Sequence, residues 1–69
     1  MATEREIVER LTERQRQIGE RKAQGLNTQA IANDLCLSPR TIETHWTRAR
    51  QATGLESAPL ILIIARPLE

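Results

Sequence analysis

Phenylalanine and tyrosine are absent from this chain, and Trp46 is its one aromatic residue. A core drawn from these 69 residues must therefore be aliphatic, built from isoleucine, leucine, valine and alanine. That composition suits packed helices better than a sheet, where aromatic and β-branched side chains are favoured. Cysteine occurs once, as Cys36, which excludes an internal disulfide and fits a reduced, cytoplasmic setting. His45 has no second histidine or cysteine cluster near it, so no metal and no cofactor are expected. No nucleophile–base pair and no phosphate-cradling glycine loop is present, which argues against an enzyme. The longest apolar run, Leu60 to Ala65, is too short to span a bilayer. Charge sets in at Glu4, so no signal peptide is read and no membrane partner is expected.

A large excess of charge of one sign is also missing: the net charge is +1, weak support for a polyanion partner when taken whole. Its distribution says more. Glu4, Glu6, Glu9 and Glu13 crowd the first segment, whereas Arg40, Arg48 and Arg50 share a later stretch with Glu43 alone. The length allows one domain with a thin core, for which help from a partner chain is a reasonable expectation. The closing Leu68-Glu69 has the look of a cloning scar, and Met1-Ala2 invites the same reading.

What is present is regular helix punctuation. Thr3 with Glu6, and Thr12 with Gln15, have the spacing of capping boxes. The first opens a short lead-in helix carrying Ile7, Val8 and Leu11. The second opens a helix of about three turns that ends before Gly25, with Gly19 a weak point inside it. Asn27 is the next N-cap, ahead of a helix from Thr28 to Leu35 whose apolar side holds Ile31, Ala32 and Leu35. After a turn through Cys36 and Leu37, Ser38 and Pro39 give a strong helix start, since proline has no N–H to lose at the first position. That helix should run to Thr53 and stop at Gly54. Ser57 is expected to cap a last helix, with Leu60 to Ala65 as its body. β propensity alone permits a strand there, but a lone strand would have no ladder partner.

On a wheel of about 100° per residue, Ile42, Trp46, Ala49 and Thr53 fall within one arc of the helix that begins at Pro39. Arg40, Thr44, Thr47, Arg48 and Gln51 lie opposite, with Glu43 at one border and His45 near the other. A two-faced helix preceded by a short helix and a three-residue turn makes a helix-turn-helix. In that motif the second helix enters the major groove of DNA and the first crosses the backbone. The predicted class is all-α, a small helix-turn-helix bundle of four helices plus the lead-in helix.

An ordered set of residues now points to a family. Leu11-Thr12, Arg14, Ala23, Gly25-Leu26-Asn27-Thr28, Ile31-Ala32, Leu35, Leu37-Ser38, Thr41-Ile42, His45 and Gly54-Leu55 stand at matching spacing. From Leu11 to Ala65 the chain resembles the LuxR-type C-terminal DNA-binding domain of bacterial transcription regulators. The resemblance implies the domain at 11–66, the motif proper at 28–47 and a C-terminal dimer helix at 57–66, which leaves the lead-in segment at 1–10 and a tail at 67–69 outside it. It implies double-stranded DNA as partner, a homodimer that DNA itself could assemble, and RNA polymerase as a further partner. Glu43 departs from the pattern where the family often has a lysine facing DNA. Trp46, Ala49 and Thr53 replace aliphatic residues, and Gly19 and Arg21 replace apolar ones.

Thr28, Arg40, Thr41, Glu43, Thr44, His45, Thr47, Arg48 and Gln51 form the expected DNA-binding set. Arg40, His45, Thr28 and the helix N-termini are assigned to phosphates. Thr44, Thr47, Arg48 and Glu43 are assigned to base edges. Each has a plainer reading: Arg48 as a solvated helix charge, Glu43 as an inert or repulsive border residue, His45 as a border hydrogen-bonding group. Trp46 reads as core rather than a stacking platform, and Cys36 as a small buried apolar residue. Leu60, Ile61 and Ile64 are the expected dimer contacts. Two other functions stay open: region four of a sigma factor, with a similar Leu-x-x-Arg-Gln-Arg opening and Arg-Ala-Arg tail, and a protein-interaction module that has lost DNA affinity. His45 and the apolar helix after Gly54-Leu55 favour the LuxR type.

Overall fold

The computed structural model describes residues 3–66, so Met1-Ala2 and the tail at 67–69 lie outside the described residues. The element order is α1 (Glu4–Glu9), α2 (Glu13–Ala23), α3 (Thr28–Leu35), α4 (Pro39–Thr53) and α5 (Ser57–Ala65). Among the described residues there is no strand, and the apolar run at 60–65 is helical.

Side-chain caps decide where the first four helices begin. Thr12 Oγ1 accepts the Gln15 N–H at 3.1 Å while Gln15 Oε1 accepts the Thr12 N–H at 3.0 Å. Thr3 and Glu6 repeat the arrangement on α1. Asn27 Oδ1 accepts the Ala30 N–H at 2.9 Å, and Ser38 Oγ accepts the Thr41 N–H at 3.1 Å. Each cap contributes about 1 kcal/mol. α1 ends at Glu9, so Leu11 lies in the turn beyond it and still packs on the core.

α5 begins differently, which corrects the expected role of Ser57. Glu56 occupies the N-cap position and makes no side-chain cap bond. Ser57 lies one residue inside, and its Oγ accepts the Trp46 Nε1–H at 3.0 Å. Its hydroxyl satisfies the indole instead of the helix end.

Gly25 and Gly54 follow α2 and α4 with φ of 92° and 71°. α3 closes the same way without glycine: Cys36 has φ 58°, and the Leu37 N–H donates to the Ala32 carbonyl at 2.9 Å. Cys36 is exposed, not buried as expected. It stands at the tip of the reversal, while Leu35 and Leu37 on either side take the core-facing positions.

Ile18, Ile31, Ile42 and Leu60 have no exposed surface, and Ala32, Trp46 and Ala49 complete the buried core. Burial of each large aliphatic chain contributes about 1.5–3 kcal/mol. α2 packs across α4 and α5, and α3 packs on α4. Gly19 is buried at the crossing of α2 with α5, where Ile64 and Trp46 close over it. The weak point in the helix is therefore a point of close approach. Arg66 pairs with Glu4 at 2.5 Å, tying the end of α5 to the start of α1.

Candidate nucleic-acid interface

α4 has to bury one side and leave the other in water, because Ile42, Trp46 and Ala49 recur along a single stripe. Trp46 is only 6% exposed, which places it in the core as its arc implied. Thr53 continues the stripe half-buried, and its hydroxyl donates back to the Ala49 carbonyl at 2.9 Å. With that side fixed against α2 and α3, the opposite side has one orientation.

Arg40, Glu43, Thr44, Thr47, Arg48 and Gln51 are all exposed and together line a shallow open depression along α4. The remaining expected residues lie around it. Thr28, at the first position of α3, lines an adjacent groove that shares Glu43 and Thr47 with the first. Thr41 is half-buried, and its hydroxyl lies 2.8 Å from that of Ser38, so it belongs to the helix cap. His45 is half-buried and lines neither groove.

The arginines divide into two groups. Arg16 bridges Glu13 at 2.6 Å and Glu20 at 2.8 Å, and Arg21 pairs with Asp34. The hydrogen bond from Arg16, and then its charge, hold the Glu13 carboxyl below the usual carboxylate range. On α4, by contrast, Arg40, Arg48 and Arg50 make no ion pair among the described residues. Exposed guanidinium groups without internal acids are free to meet an external anion.

Two cations beside the site are not among the expected DNA-binding residues. Lys22 belongs to α2 and Arg50 to the border of α4, yet both line the groove that contains Thr28. Lys22 Nζ stands 5.5 Å from the centre of the Trp46 ring. Only the packing of α2 against α4 brings them together, and no local motif carries that signal.

The expected dimer contacts divide as well. Leu60 is fully buried in the chain's own core, which corrects its assignment to an interface. It comes one turn after the start of α5 and belongs to the buried core cluster. Ile61 and Ile64 are half-buried and pack against the same core. Among the described residues Leu62 is instead the large hydrophobic residue left in water, 63% exposed.

Among the described residues no helix is long and apolar enough to cross a membrane. Residues 9–63 match the family of bacterial regulatory proteins, luxR family. The transcriptional regulatory protein UhpA of Escherichia coli (strain K12) is 38% identical over 47 residues, 68% of this chain. The chain spans about a quarter of that relative's length, 24%. No solved structure gives a significant match. With most of its length inside the family match and its helices in helix-turn-helix order, the chain belongs to the luxR family of bacterial regulatory proteins.

Proposed function

We propose that α4 enters the major groove of a specific double-stranded DNA site while α3 crosses the backbone, in the cytoplasm and as the output part of a transcription regulator. The observation that carries this is the exposed face of α4, where Arg40, Thr44, Thr47, Arg48 and Gln51 stand together and neither arginine pairs with an acid among the described residues. Arg48, Thr44, Thr47 and Gln51 supply donors and acceptors for base edges. Arg40, in the first turn, suits a phosphate, as do Thr28 at the start of α3 and His45 at the border. Glu43 accepts from cytosine N4 in this reading, and it repels phosphates that come near.

One chain offers one recognition helix, so a strong operator calls for two copies on two half-sites. Leu62, mostly in water with half-buried Ile61 beside it, gives α5 an outward apolar contact for two-fold pairing, while Ile64 turns toward α2. DNA that holds two copies close raises their effective concentration, so pairing strengthens on the operator. Sedimentation of the parent and of Leu62→Glu, with and without operator, tests this: loss of paired complex in the variant is expected, and unchanged pairing contradicts it. Recruitment of RNA polymerase is the last part of the proposal, read out by transcription with purified components.

The direct test of function is binding to a duplex selected from a randomised pool, followed across a salt series. Glu43→Lys should raise affinity for mixed-sequence DNA and steepen the salt dependence, because it adds a cation that seeks phosphate. An alternative, a protein-interaction module without DNA affinity, draws on Glu43 and the net charge of +1. It predicts that no duplex is selected at all.

A further inference from the structure

We propose that Lys22 and Arg50 form a clamp for a backbone phosphate of the bound duplex, in the groove beside α4. The proposal rests on the DNA-binding reading above and adds to it a contact from α2. Lys22, Thr28, Glu43, Trp46, Arg50 and Ser57 line this groove. Its floor is fixed, because the Trp46 ring is buried on one side and its Nε1–H donates to Ser57 Oγ at 3.0 Å. Lys22 Nζ rests over that ring at 5.5 Å, a cation–π distance that restrains an otherwise flexible ammonium.

Neither Lys22 nor Arg50 is neutralised by an acid among the described residues, although Glu43 lines the same groove and Arg21, next to Lys22, pairs with Asp34. The Thr28 hydroxyl has no hydrogen-bond partner among the described residues, and the Ser57 hydroxyl accepts from the indole and keeps its own proton to donate. Two cations and two hydroxyl donors face one carboxylate, so the groove favours a singly charged anion. A phosphodiester fits that chemistry, taking a forked contact from the guanidinium and a point contact from the ammonium.

Position selects the source of the anion. Glu43 and Thr47 border both this groove and the depression along α4. A duplex seated with α4 in its major groove has a sugar–phosphate strand at each edge of that groove, and Thr28 lies where α3 crosses the backbone. The strand on that side passes over Lys22 and Arg50. Such a contact positions the protein and carries no sequence information.

Lys22→Gln and Arg50→Gln, each checked for parental helicity by circular dichroism, test the clamp by fluorescence anisotropy on labelled duplexes over a salt series. The two changes together should reduce the magnitude of the slope of log K against log salt by about 0.9, the value for one phosphate contact, and each alone by a part of that. Affinity should fall by the same factor on the selected and on a mixed-sequence duplex, leaving their ratio unchanged, and Lys22→Arg should keep the parental slope. Parental slopes in both folded glutamine variants, or a loss confined to the selected duplex, would overturn the clamp alone. A parent that binds no duplex at low salt overturns the clamp and the DNA-binding reading together. Trp46 emission, titrated with inorganic phosphate at constant ionic strength, should stay flat while duplex changes it. An equal response to inorganic phosphate that Lys22→Gln abolishes would assign the groove to the free anion instead of the DNA backbone.

Discussion

Gly19 and Ile64 meet so closely that a β-carbon at position 19 would overlap Ile64 Cδ1. The same carbon would stand 3.2 Å from Trp46 Cζ3 and 3.3 Å from Ile64 Cγ2. Gly19→Ala gains about 1 kcal/mol of helix propensity. Overpacking costs about 1–3 kcal/mol and outweighs it. A net destabilisation of about 1 kcal/mol is expected from urea unfolding, and adding Ile64→Val, which removes Cδ1, should recover most of it. If Gly19→Ala alone raised stability, the end of the Ile64 side chain would give way at little cost and the crossing would not be rigidly packed.

Trp46 binds the core through its ring and α5 through its indole N–H. Trp46→Ala leaves a large cavity and should cost about 3 kcal/mol or more, enough to unfold so small a domain. Ser57→Ala leaves the ring in place and removes only the acceptor of its N–H. About 1 kcal/mol is expected for that change, from the stranded donor. Thermal melts of both variants separate packing from the hydrogen bond. Normal melting of Trp46→Ala with loss of DNA binding would instead make Trp46 a contact residue.

Cys36 holds φ 58° without being glycine, a conformation that costs an ordinary side chain about 1 kcal/mol. Cys36→Gly should therefore stabilise the domain by roughly 0.5–1 kcal/mol, seen as a higher urea midpoint at unchanged m. The exposed thiol should also react with iodoacetamide in the folded protein. A thiol that reacts only on unfolding would return Cys36 to the core.

The helices could be read from the sequence because their start signals are local. Thr12 with Gln15, Asn27, and Ser38 with Pro39 act within four residues, and each cap forms where its spacing says it should. The outward face of α4 was equally legible, since one apolar stripe from Ile42 to Ala49 fixes where Arg48 points. Relations between helices were not. Ser57 looks like a cap until Trp46 is placed above it, and Gly19 looks like a flaw until Ile64 covers it. Leu60 looks no different from Leu62 in a run of aliphatic residues, yet one is fully buried and the other mostly in water. Lys22 approaches the site only through the packing of α2 on α4.

The central claim is that the α4 face reads base edges, and Arg48 tests it most directly. Arg48 is exposed, unpaired among the described residues and flanked by Thr44, Thr47 and Gln51 in one depression. Arg48→Ala, compared with the parent at matched salt on the selected duplex, should lose about 1–3 kcal/mol of binding with helicity unchanged. The loss should be smaller on mixed-sequence DNA, so that specificity relaxes. Equal affinity of variant and parent for the selected duplex would contradict the account.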